Sequence, residues 1–400
     1  MADATRLALT VLLAVGAVPA AASAAYLLAL AMASFFYRNR LVEGQPSHRL
    51  IVLVPAHNEA QLIGRCVRSL IDQAYPAELF RVCVIADNCT DATAAIASGS
   101  GAEIMVRHQP EAPGKGRVLR WAMDRILAEP SPPDAIVIVD ADSVADADLL
   151  GGLESDLRQG HEVIQGECVV RPESGSRRES LQAAAVALRL DVRFTGRAVL
   201  GMPAVLAGNG MLFSRRILLE HPWNAFTAVE DAEYGLALRL AGVKTVYARG
   251  ARVYTPSPST ETGAYTQSLR WDGGRLALIR SWLRPMLAKM LRRRDWSLAD
   301  MVIDLAVPPL GMLAFVTVLG TALSVLLLAS GIVPVWVGVL WASCALGLAV
   351  GVVVGLKAAR APGSAYLALL LAPRFLLRKL GIYARLLRGF DPYRWVRTER

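Results

Sequence analysis

Residues 7–37 contain no charged side chain, and residues 305–356 contain none either. A helix of about 20 apolar residues crosses a bilayer core, so runs of this length restrict the chain to a membrane-spanning design. The first run predicts one span. The second is interrupted around Gly331 and Pro334 and predicts two spans, at roughly 302–330 and 333–356, joined by a tight turn. Ala21-Ala22-Ser23-Ala24-Ala25 resembles a secretory cleavage site, but the apolar run continues through Leu27 to Phe36, beyond the length of a signal sequence. Arg38 and Arg40 follow the first run. Lys357, Arg360, Arg374, Arg378, Lys379, Arg385, Arg388, Arg394, Arg397 and Arg400 follow the last. By the excess of basic residues on cytoplasmic flanks, residues 38–300 are expected in the cytosol and the N-terminus outside. The expected location is a bacterial inner membrane.

The chain has 400 residues, is 54% hydrophobic and carries a formal charge of +9. Two segments, 276–294 and 366–387, mix leucine, methionine or tyrosine with arginine and lysine, as helices in a headgroup layer do. A fourth span broken at Pro373 is the alternative for the second. Because the excess charge gathers at these flanks, it points to membrane lipids and not to nucleic acid. Cys66, Cys83, Cys89, Cys168 and Cys344 show no metal-binding or redox spacing, and they fit small apolar packing in a reducing compartment.

Between the spans the pattern changes. Short β-branched runs at 49–54, 81–86, 103–107 and 135–139 alternate with helical periodicity at 59–73, after Thr90 and at 115–127. This alternation predicts an α/β domain with a mostly parallel mixed sheet covered on both faces. Ligands of such sheets sit beyond the carboxyl ends of the strands. Polar residues cluster at those ends: Pro55, His57, Asn58 and Glu59 after the first strand, Asp87, Asn88 and Asp91 after the second, Asp140 and Asp142 after the fourth. Helix capping accounts for Asn58 and Thr90. It does not account for two carboxylates closing an apolar run. Asp140-Ala141-Asp142 suits Mg²⁺ or Mn²⁺, which take one or two carboxylates and complete their shell with water and phosphate oxygens.

Glu230 and Asp231 open a helix, where acids favour the dipole. A carboxylate there can equally take a proton from an acceptor hydroxyl, with Asp231 as the base and Glu230 supporting acceptor placement. Gln267, Arg270 and Trp271 fall on one helical face, suited to a diphosphate and a stacked sugar ring. Lys115, within Gly114-Lys115-Gly116, sets a cation near phosphate at a helix start. Gly208-Asn209-Gly210 reads either as a turn or as the lining of an acceptor pocket.

Val54-Pro55-Ala56-His57-Asn58-Glu59, Asp87-Asn88-Cys89-Thr90-Asp91, Gly114-Lys115-Gly116, Asp140-Ala141-Asp142, Glu230-Asp231 and Gln267-Ser268-Leu269-Arg270-Trp271 occur in this order, with Trp395-Val396-Arg397-Thr398 near the end. Together they resemble glycosyltransferase family 2, in the membrane-bound branch with cellulose, chitin and hyaluronan synthases. The resemblance implies a GT-A (Rossmann-like) fold and an inverting, metal-dependent transfer from a nucleotide sugar, with a UDP-sugar expected. It implies that Pro55, Asn58, Glu59, Asp87, Lys115, Asp140 and Arg270 bind the donor nucleotide. It further implies that Asp142 and Asp140 hold the metal, that Asp231 is the base, and that Trp271, Gln267, Gly208 and Asn209 face the acceptor. Val229 stands where polymerising relatives often carry threonine.

The expected division is a span at 1–38, a catalytic domain at 45–275, an interfacial helix at 276–300, two spans at 301–357 and a basic interfacial segment at 358–400. The leading functional expectation is extension of a β-linked glycan. The alternative is transfer of one sugar to a membrane lipid, and a third, from another class, is a non-catalytic subunit of another synthase. A homo-oligomer or an export partner fits the first of these.

Overall fold

The structure is a computed structural model and describes residues 2–38, 44–172, 176–257 and 260–389. Arg40, Arg394, Arg397, Arg400 and Trp395-Val396-Arg397-Thr398 lie outside the described residues. The chain forms two compact units. One comprises Arg38–Ser174, Gly201–Val302 and Gly389–Arg400, and the other Met1–Tyr37, Gly175–Leu200 and Ile303–Arg388.

The first unit is built on an eight-stranded sheet: β1 Leu50–Ala56, β2 Phe80–Asp87, β3 Glu103–Arg107, β4 Ala135–Ile138, β5 Val144–Ala145, β6 Val163–Arg171, β7 Met211–Ser214 and β8 Val246–Pro256. Their order is β3-β2-β1-β4-β7-β6-β8-β5. β3, β2, β1 and β4 run parallel. β7 is antiparallel to β4 and β6, and β8 is parallel to β6. This is the mixed α/β sheet expected from the alternation.

Strand side chains alternate between two cores. Val52, Val54, Val84 and Val137 pack with Ile63, Val67, Leu70 and Leu153 on one face. Ile51, Leu53, Ile85 and Ile138 pack with Leu119, Met123, Ile126 and Trp223 on the other. Burial on both faces is why these strands read as unbroken apolar runs. The helix expected over 59–73 forms only at Ile63–Ile71. Asn58 takes a left-handed φ of 54°, so the chain turns through 59–62 before the helix begins.

Among the described residues, the second unit contains three helices long and apolar enough to cross a bilayer: Asp3–Ser34, Leu310–Ala329 and Val335–Ala358. The span expected from residue 302 starts later, because Pro308 and Pro309 separate a short helix, Ala299–Ala306, from Leu310–Ala329. Proline removes a backbone donor and blocks the preceding residue from helical geometry. No fourth long apolar helix follows residue 358 among the described residues; Pro373 instead sits in the first turn of Ala372–Leu387.

Small residues set the spacing of these helices, as in membrane bundles generally. Ala17, Ala20 and Ala24 pack against Val337, Trp341 and Leu348, and the Trp341 indole donates to Leu13 O at 3.1 Å.

An excursion from the sheet, Arg177–Ala187 continuing through Leu188–Val192 to Arg193–Val199, joins this apolar unit. Its Gly196 lies so close to the first helix that a Cβ there would stand 2.2 Å from Leu30 O. Gly196→Ala should therefore cost about 1–3 kcal/mol through overpacking, read as a lower thermal midpoint of the detergent-solubilised protein. The same unit buries an ion cluster. Asp304 accepts from Arg193 Nε at 2.7 Å and from the Tyr26 hydroxyl at 3.2 Å, and lies 3.0 Å from Arg197 Nη1.

Candidate active site

Two groups of polar residues occupy the carboxyl ends of the parallel strands. The first joins the ends of β1 and β2. His57 Nδ1 donates to Asp87 O at 2.7 Å, Asn58 Oδ1 accepts from Thr90 N at 2.8 Å, and Glu59 N donates to Thr93 Oγ1 at 2.8 Å. Pro55 pairs with Ile85 across the strands. Asp87 is buried in an ion pair with the equally buried Arg107, which reaches on to Ala112 O at 2.8 Å. No motif marks Arg107 in the sequence; its place at the end of β3 is the only signal of its part here. Arg107→Met strands a buried carboxylate. It should cost about 3–5 kcal/mol, seen as a fall in the denaturant midpoint that Asp87→Asn in the same chain partly restores.

The second group centres on Lys115, the first residue of the helix Lys115–Leu127. Its ammonium donates to Asp140 Oδ1 and to Gly208 O, each at 2.5 Å, and stands 3.9 Å from Glu230 Oε1. Gly208 has φ +81°, and a Cβ on it would be 3.0 Å from Asp231 Oδ2. Asp140, Lys115, Gly208, Glu230 and Asp231 therefore converge from four separate parts of the sequence. Gly116 lets this happen: a Cβ there would meet Ala225 O at 2.1 Å and Glu230 Cβ at 3.3 Å.

The Asp140–Ser143 turn is held from below. Asn209 Oδ1 accepts from Asp140 N at 3.1 Å, while its amide nitrogen donates to Ser143 Oγ at 2.8 Å and Thr255 Oγ1 at 3.2 Å. Ser143 Oγ in turn donates to Asp142 Oδ1 at 2.9 Å. The structure thus places the Asn209 side chain beneath the two aspartates. Gln165 extends the support, accepting from Ala207 N and donating to Asn209 O, both at 2.8 Å. Ser143, Thr255 and Gln165 carried no motif signal in the sequence.

The Gln-x-x-Arg-Trp residues lie on one long helix, Glu261–Arg293, which also contains the basic stretch from residue 276. Gln267, Asp272 and Gly274 are buried in it, and Arg270 and Trp271 half-buried. A Cβ on Gly274 would stand 2.4 Å from Val229 Cγ1, so this helix rests on the residue that leads into Glu230. Arg270 is near enough to favour the charged form of Glu230.

Burial alone would lower the Lys115 ammonium, but Asp140, Glu230 and Asp231 reverse that and raise it, so it remains charged. Burial pushes the Glu230 carboxyl from its ordinary 4.5 to about 7; Asp231 adds to the rise, and Lys115 and Arg270 oppose it. Between those values native Glu230 retains a proton that the unfolded chain has released. Stability of the ligand-free protein should therefore fall as pH rises through this window and level off above it. Glu230→Gln should flatten the slope of thermal midpoint against pH. Cys168, beside the site, is raised to about 12 by burial and by Asp140 and Asp231, which leaves it an unreactive thiol.

Among the described residues no group of three or more His, Cys, Asp or Glu converges as a protein-only metal cage. The donor set fits a hard divalent ion of another kind. Two carboxylates in one turn at a strand end leave the remaining positions to phosphate and water.

Residues 46–274, more than half of the chain, match the model of the family described as glycosyltransferase like family 2. The protein belongs to that family. Among curated proteins, this glycosyltransferase is 25% identical to a beta-monoglucosyldiacylglycerol synthase of Nostoc sp. over 269 residues, 64% of the chain and 56% of the relative. It is 27% identical to a synthase of the same name from Synechocystis sp. over 256 residues, 59% and 50% of the respective lengths. The match thus spans about half the length of these relatives. Among solved structures, a mannosyltransferase from Pyrobaculum calidifontis in complex with GDP-Man and Mn²⁺ superposes with a TM-score of 0.52 at 16% identity, covering 97% of this chain and 99% of that one. At that identity the likeness concerns the fold, which is GT-A.

Proposed function

We propose that this glycosyltransferase moves one sugar from a nucleoside diphosphate sugar to a hydroxyl of a membrane lipid, with inversion at the anomeric carbon. The observation that carries the reading is the convergence of Asp231, Glu230, Lys115 and Asp140 around Gly208. The names of the curated relatives favour a lipid acceptor over the glycan chain that the sequence motifs put first. The basic flanks of the apolar helices support a catalytic domain on the cytosolic face.

In this reading Asp231 takes the proton of the acceptor hydroxyl as its oxygen attacks the anomeric carbon. The bond from that carbon to the diphosphate breaks on the opposite face, so an α-linked donor yields a β-linked product. Lys115 and Arg270 meet the charge developing on the departing diphosphate. Asp87, with Arg107, holds the nucleoside end, and Trp271 offers the acceptor a stacking face. Asp142 and Asp140 would hold a divalent ion, which would supply further charge neutralisation at the leaving group.

The test is to incubate nanodisc-embedded protein and Mg²⁺ with labelled UDP-glucose, UDP-N-acetylglucosamine or GDP-mannose, with and without diacylglycerol. A single labelled lipid, formed only when diacylglycerol is present, is expected. A ladder of soluble sizes would favour glycan extension, for which the Gln267–Trp271 element speaks, and no turnover with any donor would favour a non-catalytic subunit.

A further inference from the structure

The sequence leaves Asn209 either in a turn or against the acceptor. Its amide group is committed elsewhere. Oδ1 accepts from Asp140 N at 3.1 Å. A backbone N–H can only donate, so the amide faces one way and turns its two protons toward Ser143 and Thr255. These reach Ser143 Oγ at 2.8 Å and Thr255 Oγ1 at 3.2 Å. A hydroxyl has one proton to give and two lone pairs to offer. Ser143 Oγ accepts from Asn209 and stands 3.3 Å from Thr255 Oγ1, and its own proton goes to Asp142 Oδ1 at 2.9 Å. The direction of each bond thus fixes the next, from Asn209 through Ser143 to Asp142. The carboxylate of Asp142 is held by one of its two oxygens.

Closing the turn does not require this relay, because Ser143 N already donates to Asp140 O at 3.0 Å. Burying polar side chains is costly unless every group is paired, yet Asn209, Ser143 and Asp142 are all buried here. Gln165, also buried, steadies the backbone from the other side. Its amide bonds to Ala207 N and Asn209 O bracket Gly208, whose carbonyl takes Lys115.

We propose that Asn209 is a positioning residue for the divalent ion, acting through Ser143 on Asp142, and is not a contact for the acceptor. This rests on the reading of Asp140 and Asp142 as the pair that would hold the ion. Two carboxylates this close in sequence repel, and an untethered one would turn away. The relay orders Asp142 when the chain folds, so less ordering remains to oppose ion binding, as outer partners of metal ligands generally achieve.

The test is Mn²⁺ titration of the nanodisc-embedded protein with UDP, followed by electron paramagnetic resonance, which needs no turnover. Ser143→Ala should weaken Mn²⁺ binding about tenfold, and Asn209→Ala by up to about 100-fold. UDP affinity without metal and the KM for diacylglycerol should stay parental, whereas a general loss of structure would move all three. Ser143→Ala keeps the Asn209–Asp140 bond and carries the test alone if Asn209→Ala does not fold. Parental Mn²⁺ affinity in Ser143→Ala and Asn209→Ala, or a raised diacylglycerol KM with Mn²⁺ affinity intact, would overturn the proposal. Asp142→Asn separates the two readings. If it weakens Mn²⁺ binding while the other variants do not, only the relay falls; if it leaves Mn²⁺ binding unchanged, the ion-holding pair falls with it.

Discussion

Asp231→Asn should lower turnover by about 10²–10⁴-fold, the usual contribution of a positioned general base, with nucleotide affinity nearly unchanged. Asp231 lies against Gly208, the residue whose carbonyl accepts from Lys115, so the substitution leaves the Lys115–Asp140 pair in place. Glu230→Gln should act more mildly, because the buried Glu230 carboxyl already titrates near 7 and is partly neutral at working pH. The measurement is kcat and donor affinity for both variants in the same lipid. Near-parental turnover of Asp231→Asn would remove this residue as the base and leave Glu230 to be tested in its place.

The second large effect is expected where two helices touch. Gly274→Ala would set a methyl group 2.4 and 2.8 Å from the two γ-carbons of Val229. Neither backbone can yield easily there, since Val229 O accepts from Glu233 N within the first turn that carries Glu230 and Asp231. The expected cost is about 1–3 kcal/mol in stability. Turnover should fall by about 10²-fold if Arg270 and Trp271 are displaced by an ångström. Val229→Ala in the Gly274→Ala background removes both clashing carbons and should recover most of the activity. Val229→Thr keeps the shape and should behave like the parent. Loss of turnover in the double variant as severe as in the single one would show that the contact does not set the spacing.

Much of the sheet was legible because its central strands are buried on both faces, so β1, β2 and β4 fall within a few residues of 49–54, 81–86 and 135–139. The Lys115, Asp140, Glu230 and Asp231 cluster was legible only as motifs in order; nothing in spacing says that an ammonium would sit between Asp140 and Glu230. The supports were invisible for a simpler reason. Ser143, Thr255 and Gln165 act through hydrogen bonds to the distant Asn209, and such bonds leave no periodicity. The segment 177–199 was hidden as well. It is too short and too polar to read as a span, with Arg193 and Arg197 on it, and its fit to the apolar helices depends on one glycine, Gly196. Pro308 and Pro309 were visible, but hydropathy averages over them.

The departure of residues 175–200 from the sheet between β6 and β7 has a practical outcome for anyone seeking a water-soluble fragment. Trimming only the two ends of the polypeptide would strand this loop of helix with its greasy side, built to fit Leu30 and Gly355, facing solvent. Such a fragment should clump. Replacing 175–200 by a short flexible bridge, together with the end deletions, should give monodisperse material.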